Sequence, residues 1–190
     1  MTATQTTATR PDTGTWEFDT AHSSIEFVVR HLMMAKVRGS FGDFRGSIEI
    51  GDTLETSKVE VEIQVASIDT RDAQRDGHLT SADFFDAGEH PTITFRSTAV
   101  RDLGGSNYAV DGDLTLLGTT KPVTLDLTYQ GTARDPWGND KAVFSAEAEI
   151  DREDWGLTWN QALETGGVLV GKKAKIEIEV EAVKPAPAGG

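Results

Sequence analysis

Residues 69–95 read DTRDAQRDGHLTSADFFDAGEHPTITF, and here the chain abandons the rule it follows elsewhere. On both sides, apolar and polar residues alternate with a period of two, as half-buried strands require. Within the stretch, charged residues crowd together: Asp72 is placed to cap one short helix, Ser81 with Asp83 to start a second, and His90-Pro91 to end the excursion. Polar residues fall to one side and Leu79, Phe84 and Phe85 to the other, which predicts a lid over one mouth of a β-structure.

Immediately before this insertion, Val59, Val61, Ile63 and Val65 alternate with Glu60, Glu62 and Gln64. Nearer the N-terminus, Trp16 to Asp19 reads as a short strand and Ile25, Phe27, Val29 and His31 as one face of the next. A run through Val37, Phe41, Phe44, Ile48 and Ile50 follows, with Gly39, Gly42 and Gly46 predicted as bends or bulges of a barrel wall. After the insertion come strands over 93–100, 108–117, 123–129, 144–150 and 176–182, with turn signals at Gly104-Gly105, Gly118 and 135–139. The fold class is therefore all-β: an antiparallel barrel of about eight strands, with a short helical insertion around residues 70–88. Barrels of about this size either fill their interior or hold one small ligand. The inward set is almost entirely Val, Ile, Leu, Phe and Ala, so any ligand is expected to be apolar.

Composition removes several alternatives. A net charge of −13 disfavours nucleic acid as a partner and adsorption to an anionic membrane surface. The absence of cysteine excludes disulfides, thiolate metal sites and Cys nucleophiles. No run approaches the roughly 18 apolar residues of a membrane span, so no stable membrane insertion is expected. The first residues lack a basic patch followed by an apolar run, which leads to a cytoplasmic expectation. Residues 1–14, Thr-rich with Pro11 and Gly14, are predicted to be a disordered arm, and 185–190 (PAPAGG) a disordered tail; 15–184 remain as one barrel domain.

Within the insertion, Arg75-Asp76-Gly77-His78-Leu79, then Asp83-Phe84-Phe85-Asp86 and Pro91-Thr92-Ile93-Thr94-Phe95, resemble the signature of the YceI-like family of lipocalin-like polyisoprenoid-binding proteins. His22-Ser23, Ile25-Glu26-Phe27 and His31 resemble that family's opening, as do Val37, Gly39 and Phe41 after it. Gly112-Asp113-Leu114-Thr115 with Gly118 and Thr120-Lys121-Pro122-Val123 is similar to its central hairpin, and Arg152 with Asp154-Trp155-Gly156 to its late turn. The resemblance covers roughly residues 15–183. It implies a lipocalin-like barrel enclosing an apolar tunnel, and as ligand an isoprenoid lipid such as a polyprenyl phosphate or an isoprenoid quinone, with no further cofactor. One position departs from the pattern: Lys172-Lys173 stands where an acidic residue is expected after Gly171.

For the apolar ligand, the inward candidates are Phe27, Val29, Val61, Ile63, Phe95, Leu114, Leu125, Leu127, Phe144 and Ile176, each of which would serve equally well as plain core. Phe84, Phe85 and Trp155 are placed at the mouths, where an exposed apolar rim would also be covered by a homodimer. His31, Arg38, Arg75 and His78 are candidate donors to a head group, Arg being suited to bidentate phosphate contacts. The competing reading is that Arg75, Asp76 and His78 fasten the insertion to the barrel. The four histidines have no close metal-ligand spacing, and no GxSxG elbow or Gly-rich phosphate loop is present. An enzyme alternative is a glycosidase using Glu149 and Glu153, whose spacing resembles a catalytic carboxylate strand; Glu147 and Glu149, however, continue the outward-facing acidic pattern. A third alternative is an interaction barrel with a filled core.

Overall fold

The computed structural model describes residues 9–185. In chain order the strands are β1 (Gly14–Phe18), β2 (Ser24–His31), β3 (Ala35–Phe41), β4 (Phe44–Ile50), β5 (Lys58–Gln64) and β6 (Ile68–Asp69). A single α-helix, α1 (Ala73–Thr80), precedes β7 (Thr92–Gly104), β8 (Asn107–Leu116), β9 (Thr119–Arg134), β10 (Asp140–Asp151) and β11 (Val170–Val183). All pairings are antiparallel and the sheet closes on itself through β11, which pairs with β2 over Val170 to Glu179 and with β1 at Ala182 and Val183. The ring has eight positions, because β1 with β2, β3 with β4, and β5 with β6 are each two segments of one interrupted strand.

The β3–β4 interruption falls at Gly42-Asp43, where the Gly42 amide donates to the Ser67 carbonyl at 3.1 Å. Gly39 and Gly46, expected as bends, are instead clearances inside regular strands. A Cβ on Gly39 would lie 2.3 Å from the Phe27 ring, and one on Gly46 2.6 Å from the Phe18 ring.

The two ends of the barrel differ. At one end β1, β4, β5, β7, β8, β9, β10 and β11 form an unbroken ring of pairings. Trp16, Ile48, Tyr108, Tyr129, Phe144 and Val180 are buried together there, so this end is a packed core. At the other end, among the described residues, the ring is interrupted twice. β6 pairs with β3 only at Ser40 and Phe41, so Ala35–Gly39 has a strand on one side alone. The β9–β10 ladder stops at Asp126 and Glu147, leaving 119–125 and 148–151 with one neighbour each. In the first gap lie α1 and residues 81–91; in the second lie the short 3-10 turn Arg152–Trp155 and the loop after it.

The insertion forms one helix rather than two. The Asp72 side chain accepts from the Arg75 amide and caps α1 as the sequence predicts. Beyond Thr80 the chain turns through Phe84 N–H to Ser81 (3.0 Å) and His90 N–H to Asp86 (2.8 Å), and Asp86 at φ 47° stops any second helix. The predicted disordered arm is also corrected in part. Pro11 is buried, Tyr108 Oη donates to the Thr9 carbonyl at 2.7 Å, and Trp16 Nε1 donates to the Asp12 carbonyl at 3.0 Å. Indole and phenol donors buried at the closed end need acceptors, and the arm supplies them. Residues 1–8 and 186–190 lie outside the described residues.

Closure is fastened by Lys141 on β10, whose half-buried ammonium lies 2.5 Å from Asp19 and 2.9 Å from Glu181, where β11 changes partner from β2 to β1. Lys141 holds the Asp19 carboxyl below its ordinary value. Because the folded-state pKa is depressed, this stabilisation is present above about pH 4 and is lost as pH falls through the lowered value. Lys141→Met is expected to destabilise the fold by about 2 kcal/mol at neutral pH, since two carboxylates are left facing each other. Melting temperatures of wild type and variant, recorded from pH 7 down to 3, should converge as Asp19 protonates.

Candidate ligand cavity

At the interrupted end the barrel encloses a cavity of about 310 Å³. Its wall is built by alternation: Phe27, Val29 and His31 from β2, Val61 and Ile63 from β5, Phe95 from β7, Leu114 from β8, Leu125 from β9 and Ile176 from β11. Leu79, Phe84 and Phe85 close it from the insertion, with Arg75 and His78 beside them. Aliphatic side chains dominate here, whereas aromatic rings occupy most of the space at the closed end, so one sheet is hollow at one end and largely filled at the other. The filled-core alternative therefore describes only half of the molecule.

Four sequence candidates lie elsewhere. Leu127 and Phe144 point inward, but at the closed end, against a separate void of about 50 Å³. Arg38 is on the outer face, bridging Glu177 at 2.5 Å and Glu26 at 2.6 Å. Glu177, then Glu26, raises the Arg38 pKa, and Arg38 lowers that of Glu177. Trp155 is buried in the wall, where its Nε1 donates to the Leu114 carbonyl at 3.0 Å. Phe84 and Trp155 are 7% and 3% exposed, so the apolar rim that a homodimer was expected to cover is absent at these residues. Of the glycosidase pair, Glu149 is exposed opposite Lys175 and Glu153 binds Lys172 at 2.7 Å; neither lines the cavity.

The charged residues of the insertion act as its fastening. Thr70, 4% exposed, donates from its amide (2.9 Å) and hydroxyl (2.6 Å) to Asp76 Oδ1. Arg75 returns Nε to the Thr70 hydroxyl at 2.7 Å and Nη2 to the Thr70 carbonyl at 2.8 Å. Thr70 Cγ2 also lies where a Cβ on Gly39 would reach, 2.9 Å away, so the glycine lets the network sit against β3. His78 Nε2 is 2.9 Å from Asp83 Oδ2, and its ring meets Trp159 edge-on at 4.7 Å and Phe84 at 5.1 Å. Trp159 lies in an irregular loop with no period by which the sequence could mark it.

Arg152, which the sequence places only in a late turn, also lines the cavity. Arg152 is 4% exposed, and burial pushes its pKa down, against the opposing fields of Glu153 and Asp151. Its guanidinium donates to three backbone carbonyls, those of Leu157, Gly171 (2.8 Å) and Val170 (3.4 Å), and so ties both ends of the 156–170 loop to one side chain. A cluster of Asp19, His22 and Glu181 has the reach to hold a metal ion, but the Lys141 ammonium already bridges its two carboxylates.

Residues 16–182 match the model of the YceI-like domain. A UPF0312 protein of Staphylococcus aureus (strain MSSA476) is 42% identical over 167 residues, covering 86% of this chain and 94% of the relative. The crystal structure of a Campylobacter jejuni YCEI protein is 30% identical, covers 83% of this chain and 90% of its own, and superposes with a TM-score of 0.70. A domain of Saccharophagus degradans described as polyisoprenoid-binding and implicated in plant cell wall breakdown is 14% identical, covers 90% of this chain and 98% of its own, and shares the fold with a TM-score of 0.68.

Arg152→Gln is expected to lower stability by about 3 kcal/mol, since a buried charge-assisted set of bonds is lost and carbonyls are left unpaired. Urea midpoints measure this, and limited proteolysis should show first cleavage within 156–170.

Proposed function

Because the chain belongs to the YceI-like family, we propose that it binds one long-chain isoprenoid, a polyprenyl phosphate or an isoprenoid quinone, in the barrel cavity and sequesters or carries it without altering it. The observation that carries this reading is the lining: aliphatic and aromatic side chains from most positions of the ring surround the cavity, with charged groups confined to a few residues such as Arg75, His78 and Arg152. Transfer of a prenyl chain from water to such a wall is favourable by about 25 cal/mol for each Å² removed from solvent. Branched methyl groups suit a surface of Val, Ile and Leu, since packing rewards close contact over many small dispersion terms.

A polar head would sit beside the insertion. Arg75 directs Nε and Nη2 to Thr70, and among the described residues its third nitrogen has no protein acceptor. It can therefore donate to a phosphate or a quinone oxygen, with His31 as a further donor on the same cavity wall, whereas the His78 Nε2–H is given to Asp83. Membership of the YceI-like family supports a binding role over a catalytic one. The S. degradans domain described as polyisoprenoid-binding provides a fold precedent for such a ligand.

Organic extraction of the purified protein followed by mass analysis should release a prenyl lipid; the reading fails if none co-purifies and none can be loaded. Ile176→Trp places an indole in the cavity and should abolish loading with the barrel still folded by circular dichroism. Phe84→Ala with Phe85→Ala should accelerate release by about tenfold, as two apolar contacts at the cavity's end are removed.

A further inference from the structure

The turn joining β2 to β3, Leu32-Met33-Met34, carries large apolar side chains that are 42%, 57% and 80% exposed. It lies at the cavity end of the barrel, because the residue before it, His31, lines the cavity. Leu32 and Met33 adopt φ of 52° and 64°, the left-handed conformation that two-residue hairpins normally assign to Asn, Asp or Gly. Bulky residues are held here against local preference, and strain of that kind is retained where the side chains have work to do.

Two further features point the same way. Arg30 and Lys36 are direct cross-strand partners on this hairpin, both exposed, and among the described residues neither has a salt-bridge partner. Like charges directly opposite each other destabilise a sheet, yet they stand here on a chain of net charge −13. The turn is also joined to the loop that covers the cavity. The Leu32 amide donates to the Leu169 carbonyl at 2.8 Å, Met33 lies over Gly167, and Leu169 itself lines the cavity.

We propose that this turn is a membrane-docking tip: Leu32, Met33 and Met34 enter the headgroup boundary of a lipid bilayer while Arg30 and Lys36 meet lipid phosphates. The inference deepens the isoprenoid reading and rests on it, since a ligand of that class is dissolved in a bilayer and must cross from there to the cavity mouth. The chain's overall negative charge does not oppose contact at the tip, because charges beyond about 8 Å are screened at physiological ionic strength. Docking is shallow and reversible, as expected of a tip with only a few apolar residues.

The test is co-sedimentation of the whole chain with vesicles of phosphatidylcholine containing one part in five phosphatidylglycerol, alongside loading of geranylgeraniol from detergent solution. Met33→Asn with Met34→Ser suits the turn's backbone and removes the apolar tip; Lys36→Glu replaces the like-charge pair with an opposite one. The expected result is that wild type binds vesicles, each variant binds about tenfold more weakly, and all load geranylgeraniol equally from detergent. The docking proposal is overturned alone if wild type loads the alcohol but ignores vesicles, or if the variants bind them equally. Failure to load in every protein overturns the isoprenoid reading as well. A dimer in wild type that the tip variants lose, in the absence of vesicles, assigns the tip to a second copy of the chain and overturns the bilayer.

Discussion

Everything in this barrel depends on the requirement that backbone amides and carbonyls find partners, and on the single junction where a strand changes neighbour to meet it. β11 runs alongside β2 and then β1, and the Lys141 ammonium holds Asp19 and Glu181 where the exchange occurs. With that junction fastened, the closed end has no edge to expose. Its interior is then fixed in volume, and Trp16, Tyr108, Tyr129 and Phe144 fill it.

At the other end the same requirement is met differently. Where ladders stop, helical turns take over: α1 is pinned through Thr70, Arg75 and Asp76, and the loop after Trp155 is hung from Arg152. These polar fastenings leave the enclosed space lined by aliphatic side chains. The hollow coincides with the end whose wall is completed by inserted segments, and the packed aromatic cluster with the end where the ring closes by strands alone.

The alternation of Ile25, Phe27, Val29 and His31, or of Val59, Val61 and Ile63, made the strands and their inward faces legible, because a period of two is a local property. The helix cap at Asp72 was legible for the same reason. Depth along the barrel was not: Leu125 lines the cavity and Leu127 belongs to the packed end, though they share a face two residues apart. Arg38 was misplaced because its partners, Glu26 and Glu177, come together only through pairings of β2 with β3 and β11. Arg152 and Trp159 were passed over as cavity residues because their roles depend on a loop without periodicity. Segment 9–14 has the composition of an arm, since its merit as a run of acceptors for Trp16 and Tyr108 is invisible until those rings are buried.

The two interruptions of the ring have a mechanical side. A hoop hydrogen-bonded all the way round can widen only by breaking rungs, each with its own desolvation cost. A split hoop widens when the pieces bridging its gaps move outward, and here those pieces are α1 with the turns after it and the short segment around Arg152. The barrel is therefore stiff at the end that holds its core and compliant at the end that holds its hollow. The girth of whatever it accommodates is governed by the seating of two small plugs, while the eight-position frame stays unchanged.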